Sequence, residues 1–368
     1  MHVYVHVPFC ARRCSYCDFA IAVRRVTPHA AFVAAIRAEW AQRAADPAWR
    51  AAPGVATLYF GGGTPSRLDP AALGTVIAML RADHSFDPDI EITLEANPED
   101  VTDERAAAWV TVGINRVSLG VQTFDPAVLE WMHRTHRAEQ VPAAVAALRA
   151  AGISNVSMDL IFGVPTDLRR DWQRDLDLTL ALEPTHLSLY GLTVEPHTPL
   201  QRWTDRGDAI PVDEERYATE YLAANRALVA HGLEHYEVSN AGLPGRHSRH
   251  NRAYWSGVDY LGLGPSAHSY LGGVRAWNVR EWAEFSDRAM SGAPLQAGAE
   301  VLDAAARRLE QRYLGLRTTT GLPVSELPAE ACAAWVGAGW AEVDQGQVRL
   351  TIEGWLRLDA LVAAIVHS

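Results

Sequence analysis

The chain has 368 residues, of which 48% are hydrophobic and 21% charged, and its formal net charge is −11 at pH 7. This composition is typical of a folded globular protein and excludes a largely disordered one. An acidic chain with no long Lys/Arg run is poorly suited to bind a phosphate backbone, so we expect no nucleic-acid partner.

Six short β-like runs alternate with Ala-rich, helix-like segments in the first half of the chain. The runs cover residues 2–7, 55–60, 89–95, 115–121, 155–161 and 185–192, and the helical patterns include 30–43, 71–82 and 142–151. Strands separated by helices predict βαβ crossovers and a parallel sheet, and therefore an α/β fold.

Polar and apolar residues alternate within the third, fourth and fifth predicted strands. One face of these strands is apolar and suits contact with covering helices. A closed, fully packed barrel would also have branched apolar residues on the other face, which is its interior. That other face is repeatedly polar, so the pattern predicts an open or wide barrel with a ligand-holding interior near the C-terminal strand ends. Its polar residues include Thr93, Glu95, Asn97, Ser118, Gln122, Ser157 and Asp159.

The pattern changes after about residue 205. A helical segment at 214–231 leads into residues 234–257, which are rich in His, Arg, Tyr and Gly, and which we expect to form an irregular, adaptable loop. Helical patterns return from residue 304, and 346–366 predicts a hairpin strand followed by a helix. We therefore expect a barrel over 1–205, a connecting region over 206–300 and a small α+β, winged-helix-like domain over 301–368.

Three of the four cysteines, Cys10, Cys14 and Cys17, lie within eight residues. Structural zinc sites usually pair two such knuckles, although zinc with His2 or His6 as a fourth ligand stays an alternative. Iron–sulfur clusters are commonly held by four thiolates, so three local thiolates would leave one iron of a [4Fe–4S] cluster open. The distant Cys332, in an Ala-rich helical pattern, is expected to be a buried structural thiol.

Residues 58–66 read LYFGGGTPS and end the second predicted strand. Three glycines allow backbone amides to approach a ligand closely, although a turn without a ligand is the alternative. The segment lacks both the lysine and the glycine spacing of a phosphate-binding loop.

The C-x3-C-x2-C loop resembles that of the radical S-adenosylmethionine (SAM) enzymes. The whole chain is similar to one branch of them, the oxygen-independent coproporphyrinogen III oxidases and the related heme chaperones. The segments that carry this similarity are, in chain order, YVHVPFC, YFGGGTPS, EANPE, INRVSLGVQTF, DLIFGVP, HLSLYGL and HNRAYW. The resemblance implies a partial (β/α)6 radical-SAM barrel with a smaller C-terminal α+β domain. It also implies a [4Fe–4S] cluster on Cys10, Cys14 and Cys17, with SAM bound at the open iron.

The same resemblance implies a set of residues that bind SAM or flank the cluster. Glu95 is expected to hydrogen-bond SAM, and Arg134, in a loop after a short helix, has a guanidinium group suited to a carboxylate. Alternatively, Glu95 and Asp159 are capping or ion-pair carboxylates, and Gln122 and Arg134 are surface groups. The complete set is Tyr4, Tyr16, Gly62, Gly63, Thr64, Glu95, Gln122, Arg134, Asp159 and Thr193.

Two features separate this sequence from the oxidases it resembles. Phe19 stands where the oxidases carry a further cysteine, two residues after the third ligand, and Cys10 is so early that we expect no N-terminal extension like theirs. The resemblance therefore favours a heme chaperone that binds heme and transfers it to acceptor hemoproteins. The alternative is a coproporphyrinogen III oxidase, which performs radical SAM oxidative decarboxylation in porphyrin biosynthesis.

Residues 250–255 read HNRAYW, a motif of the chaperone branch. We expect His250 to be an axial ligand of heme iron, with His247 as the competing candidate, while nearby aromatic and Arg side chains contact the macrocycle and propionates. The alternative is that His250 hydrogen-bonds a loop carbonyl and that Tyr254 and Trp255 pack the domain junction.

Location and partners follow from simpler observations. No apolar run approaches the ~20 residues of a membrane span, and the first residues lack the basic region of a signal peptide, so we expect a cytoplasmic protein. Acceptors could include membrane cytochromes contacted transiently, and a surface cluster could mediate a homodimer.

Overall fold

The computed structural model describes residues 1–44, 49 and 54–365. Within these residues a 12-stranded sheet is accompanied by smaller sheets of two and three strands. The strands are β1 His2–Val7, β2 Phe9–Cys10, β3 Ala22–Val23, β4 Val55–Gly62, β5 Phe86–Ala96, β6 Arg116–Gln122, β7 Asn155–Phe162, β8 His186–Gly191, β9 Glu234–Glu237, β10 Asn240–Gly242, β11 Tyr260–Leu263, β12 His268–Leu271, β13 Val274–Asn278, β14 Gln296–Val301, β15 Leu322–Pro323, β16 Ala341–Asp344 and β17 Gln347–Leu350.

The helices lie between and after these strands. They are α1 His29–Arg43, α2 Pro70–Asp83, α3 Asp103–Val112, α4 Pro126–Trp131, α5 Gln140–Ala150, α6 Trp172–Ala181, α7 Pro199–Arg206, α8 Glu214–Ala230, α9 Arg249–Trp255, α10 Trp282–Ser291, α11 Ala304–Leu316, α12 Ala329–Gly337, α13 Ile352–Trp355 and α14 Leu358–Ile365. Several begin where an aspartate accepts hydrogen bonds from first-turn amides, as Asp69 does for α2, Asp125 for α4 and Asp213 for α8.

Six strands of the large sheet lie side by side in the order β1, β4, β5, β6, β7 and β8, and all are parallel. Each matches one of the six predicted strands to within a few residues, so the predicted α/β fold with a parallel sheet is confirmed. The sheet continues beyond β1 with β11, which is parallel to it, and then with the antiparallel strands β12 to β14. Beyond β8 it ends with the antiparallel strands β10 and β9.

The two faces of the parallel strands differ as the alternation predicts. Ile92, Leu94, Val117 and Met158 are at most 1% exposed and pack in the main hydrophobic core. The opposite face turns inward, because side chains from β4 to β8 line one common cavity. This partial (β/α)6 barrel therefore has a polar interior.

The C-terminal part of the chain has its own small core. The antiparallel strands β15, β17 and β16 form a sheet, and residues such as Leu316, Val348 and Trp355 are buried beside it. Cys332 on α12 is 6% exposed, which confirms the predicted buried thiol.

The boundaries at residues 205 and 300 stay predictions, although β9 to β14 join the same sheet as the barrel strands. Residues 366–368 of the third predicted domain lie outside the described residues. None of the helices in the described part of the chain combines the length and apolarity needed to cross a membrane.

The prediction of an irregular loop over residues 234–257 is wrong. This segment forms β9, β10 and α9, and α9 carries the HNRAYW motif. The Ser248 side chain accepts a hydrogen bond from the Asn251 amide and so caps the helix. A helix of seven residues is too short to show the 3.6-residue periodicity on which the prediction depended.

Candidate cofactor site

The three clustered cysteines lie on one anchored loop. Cys10 ends β2, which pairs with β3, and its carbonyl accepts a 2.9 Å hydrogen bond from the Arg24 amide. Farther along, the Ser15 amide donates to the Met132 carbonyl at 3.1 Å, which ties the loop to the end of α4. All three cysteines are free and line a cavity of about 410 Å³ at the carboxyl ends of the barrel strands.

The zinc alternative finds no preformed site among the described residues. Among the described residues, no three His, Cys, Asp or Glu side chains converge on one metal position. His6 donates from Nε2 to the Ala20 carbonyl at 2.8 Å and accepts from the Tyr4 hydroxyl at 3.1 Å, while His2 is hydrogen-bonded to Thr57. Both histidines of the zinc alternative are therefore engaged elsewhere.

Three free thiols on the wall of one cavity suit a [4Fe–4S] cluster, because such clusters are held by thiolates. The Thr64 hydroxyl lies 3.4 Å from Cys10 Sγ, and Arg134 Nη1 lies 3.8 Å from Cys14 Sγ. Burial raises the pKa of Cys10, and the hydrogen bond from Thr64 opposes this shift. Burial also raises the pKa of Cys17 to about 12. Thiolate formation at this position would therefore be coupled to binding of a cluster, which would release the proton.

The glycine-rich segment forms the cavity wall next to the cysteines. Gly62 has φ 113°, and a Cβ there would lie 2.6–3.0 Å from the His6 ring. A Cβ on Gly63 would lie 2.7 Å from the Pro8 carbonyl group and 3.0 Å from Cys10 Sγ. Only glycines allow this backbone to pass so close to the cluster loop, so the interpretation as a ligand-binding segment agrees with the geometry.

Glu95, near the end of β5, faces this segment across the cavity. Its Oε2 accepts from the Gly62 amide at 3.0 Å and its Oε1 accepts from the Tyr59 hydroxyl at 2.8 Å. Burial raises the pKa of Glu95 to about 7, although these hydrogen bonds favour its charged form. The carboxylate thus points into the cavity, has no ion-pair partner among the described residues, and is suited to an ammonium group.

Arg134 lies in the loop after the short helix α4, as predicted. Its Nη2 donates to Asn97 Oδ1 at 2.7 Å and to the Gly120 carbonyl at 2.8 Å, which fixes the guanidinium group at the cavity wall. Beside it, Gln122 is buried at φ 67°, where the register of β6 and β7 shifts. A non-glycine residue in this region of φ is strained, and such strain is typical of ligand sites. Neither residue is an ordinary surface group.

Asp159 completes the polar wall on β7. It accepts a 2.9 Å hydrogen bond from the Ser118 hydroxyl, and burial raises its pKa. No helix cap involves it, and no ion pair of the described residues does, so the capping and ion-pair alternatives do not hold for Asp159. Thr193, by contrast, is exposed at the cavity mouth after β8.

Nine of the ten residues predicted to bind SAM or flank the cluster line this cavity. They are Tyr16, Gly62, Gly63, Thr64, Glu95, Gln122, Arg134, Asp159 and Thr193. Tyr4 does not. It lines an adjoining cavity of about 380 Å³, which shares Gly62, Glu95, Asp18 and Phe19 with the first.

The residues predicted to bind SAM do not include several others on the same wall. Asn97, Ser118, Gly120 and Tyr190 all line the cavity, and Tyr59 supports Glu95 from behind. The period of two along β4, β5, β6 and β8 was sufficient to find them, because each lies two or four residues from an inward-facing position.

His250 does not line the cofactor cavity, and it packs on Tyr59, the residue that donates to Glu95. The His250 ring is 1% exposed and stacks on Tyr59 with centroids 5.0 Å apart. Nδ1 is hydrogen-bonded to Thr57 at 2.7 Å, Nε2 to the Tyr254 hydroxyl at 3.1 Å, and the backbone amide donates to Glu91. Both ring nitrogens are therefore occupied, and burial lowers the pKa of His250 to about 3.

The neighbours of His250 in the motif region are also engaged. His247 stacks on Tyr236 with centroids 4.1 Å apart and lies 3.0 Å from Glu234. Arg249 pairs with Asp89 at 3.2 Å, and the Arg317 guanidinium lies 4.2 Å over the Trp255 ring. In this arrangement neither His250 nor His247 is open to heme iron, although Tyr254 of the same motif lines a cavity next to the cofactor site.

Comparison with known proteins agrees with the geometry. The profile of the Radical SAM superfamily matches residues 4–179. The heme chaperone HemW of Mycobacterium tuberculosis (strain ATCC 25618 / H37Rv) is 38% identical over 372 residues, which cover 99% of this chain and 94% of that protein. HemW of Bacillus subtilis (strain 168) is 33% identical and covers 87% of this chain and 84% of its own length.

A solved structure shows the same fold. Coproporphyrinogen III oxidase (HemN) from Escherichia coli, a radical SAM enzyme, superimposes with a TM-score of 0.82 over 98% of this chain and 88% of its own, at 23% identity. The radical SAM match implies a [4Fe–4S] cluster and SAM as cofactors. Because the similarity to HemW proteins extends over nearly the whole sequence, the chain belongs to the heme chaperone HemW family of the radical SAM superfamily.

Proposed function

We propose that this protein binds heme and transfers it to acceptor hemoproteins. The observation that carries the proposal is the similarity to curated heme chaperones, which extends over 99% of the chain at 38% identity. The exposed Phe19 adds to it, because the oxidases that the sequence resembles carry a cysteine at this position.

The cofactors are proposed to occupy the 410 Å³ cavity. Cys10, Cys14 and Cys17 would hold the [4Fe–4S] cluster, and when bound this cluster supplies an open iron and an electron for SAM. Glu95 would accept hydrogen bonds from the SAM ammonium group, since it is the uncompensated carboxylate beside the glycine-rich segment. Arg134 would place its positive charge beside the cysteine loop and the SAM carboxylate.

The motif predicts His250 as an axial ligand of heme iron, and this assignment stays a prediction. Ligation by His250 requires that α9 leave its place, because the ring is buried and both nitrogens are hydrogen-bonded. Such a movement would break the contacts of His250 with Thr57, Glu91 and Tyr254 together. Membrane cytochromes as acceptors, a homodimer and a cytoplasmic location also stay predictions.

Heme titration and transfer test the proposal. The protein is reconstituted anaerobically with iron and sulfide, titrated with heme, and then mixed with apomyoglobin as a probe acceptor. We expect a new Soret band on titration, followed by the Soret spectrum of holomyoglobin after mixing. Absence of any heme complex of the reconstituted protein would overturn the chaperone function.

A further inference from the structure

The adjoining cavity of about 380 Å³ lies on the side of the cofactor site that faces β11 and β12. This volume falls within the roughly 300–1,000 Å³ of small-molecule pockets. Asp18 and Phe19, directly after the last cluster cysteine, line both cavities, and so do Gly62 and Glu95. A molecule in the second cavity would therefore lie next to the cluster and SAM.

Aromatic side chains form the wall of this cavity and continue beyond it. β1 and β11 pair with His2 opposite Tyr260, so Tyr260 turns to the same inner face as His2. Tyr254 of α9 packs edge-on against Tyr260 at 4.6 Å, and Tyr270 follows at 6.3 Å with a ring tilt of 31°. A planar macrocycle can lie against the face of one of these perpendicular tyrosine rings and the edge of the other.

His268 stands out among the histidines around the barrel. Its ring stacks on Trp277 at 5.7 Å with an interplanar angle of 24°, and the residue is exposed. Throughout the part of the chain that the structure describes, no hydrogen bond engages its ring nitrogens, in contrast to His6 and His250. Partial burial lowers the pKa of His268, which favours the neutral imidazole that binds iron.

Arg280 supplies a positive charge at the same cavity. Its Nη2 donates to the Asp18 carbonyl at 2.5 Å, and among the described residues no carboxylate pairs with it. By contrast, the neighbouring Arg275 is held by Glu300 and Glu310. The guanidinium group of Arg280 therefore has donors left for a carboxylate ligand.

Resting on the proposed function, we propose that this second cavity is the heme site. The macrocycle packs on Tyr254 and Tyr260, His268 is an axial ligand of the iron, and Arg280 pairs with a propionate. Heme would then enter next to the cluster without displacing His250 from the barrel interior.

Heme titration of matched histidine variants tests this assignment. The variants are His268→Gly, His250→Ala and His247→Ala, with the exposed His231→Ala as a control, all reconstituted and checked for iron content. We expect His268→Gly alone to lose or shift the Soret band, and added imidazole to restore it, because a small ligand can fill the space of the missing ring. Arg280→Ala should weaken heme affinity about tenfold through loss of a charge-assisted hydrogen bond.

The outcomes separate the two proposals. If wild-type protein shows no Soret band, the chaperone function itself fails. If wild type binds heme and His268→Gly keeps the same band and affinity, the heme site proposed here is wrong. Loss of the band only in His250→Ala or only in His247→Ala would also overturn it and would place the ligand in the motif region.

Discussion

The backbone amide of Gly62 donates a 3.0 Å hydrogen bond to Oε2 of Glu95. This contact joins the glycine-rich segment after β4 to the inner face of β5 at the edge of both cavities. Because Oε1 is also occupied, by the Tyr59 hydroxyl, the carboxylate is held in one orientation before any ligand arrives. Fixed orientation lowers the entropic cost of binding a cationic group.

Replacement of Glu95 by Gln should weaken SAM binding. The change keeps the size of the side chain but removes its charge, and hydrogen bonds to charged groups typically contribute about 1.5–3 kcal/mol. The affinity is measured by calorimetry on the reconstituted protein. The exposed Glu104→Gln on α3 is the matched control, and equal SAM affinity in both variants would contradict the proposed role of Glu95.

The pH dependence of SAM binding provides a second test of Glu95. Its pKa is about 7 in the free protein, so lowering the pH below 7 protonates the group. Bound SAM favours the carboxylate, so binding must then release a proton and the affinity falls with falling pH. In Glu95→Gln the SAM affinity should decrease less between pH 7 and 6 than in wild type. If the affinity falls as steeply as in wild type, the pH dependence belongs to another titrating group.

Replacement of Cys10, Cys14 and Cys17 together by Ala should abolish incorporation of iron and acid-labile sulfide. These thiols line one cavity, and no other cysteine among the described residues is near it. Iron and sulfide are measured after anaerobic reconstitution. Cys332→Ala removes a thiol from the separate C-terminal core and should keep wild-type amounts of both. A triple variant with a full cluster would show that the ligands were assigned wrongly.

The alternation of strands with helices, and of polar with apolar residues, was sufficient to predict a parallel α/β sheet with a polar inner face, and most of the residues that line the cavity. Ser118, Gln122 and Asp159 lie on neighbouring parallel strands, so a period of two determines that they share one face. Arg134 lies outside any strand, and only the family resemblance indicated its role. Its place at the cavity wall depends on hydrogen bonds to Asn97 and Gly120.

Contacts distant in sequence limited the prediction around the motif. The burial of His250 depends on Thr57 and Glu91, which lie more than 150 residues earlier in the chain. His268 lies on β12, which pairs with β11, and it reaches the second cavity only because β11 in turn pairs with β1. A local pattern contains no information on such pairings, so the sequence indicated an accessible His250 and gave no sign of His268.

The purified protein should not convert coproporphyrinogen III to protoporphyrinogen IX. Phe19 is 58% exposed at the mouth of both cavities, and it stands where the oxidases carry a further cysteine. Product formation is followed by fluorescence under anaerobic, reducing conditions with SAM, with a known oxygen-independent oxidase as the positive control. Multiple turnovers by wild-type protein would support the oxidase alternative instead.

The protein should lose stability as the pH falls below 6.5, and His235 should account for part of this loss. The residue is 8% exposed, its ring packs 5.1 Å from the Trp355 ring, and its Nδ1 accepts a 2.9 Å hydrogen bond from Asn225. Burial lowers the pKa of His235 to about 4, whereas an unfolded histidine titrates near 6.5. The unfolded chain therefore binds one more proton between these pH values, and the stability present above pH 6.5 is lost as the pH falls toward 4.

The slope of stability against pH isolates this contribution. One extra proton changes the free energy of unfolding by at most about 1.4 kcal/mol per pH unit, so His235→Gln should flatten the wild-type dependence by up to that amount. Urea unfolding at several values between pH 7.5 and 5 measures the slope, which does not depend on how far the variant is destabilised overall. The exposed His231→Gln, at the end of α8, should keep the wild-type slope. An unchanged slope in His235→Gln would mean that the ring is protonated in the folded protein, and that its contact with Trp355 and Asn225 tolerates the charge.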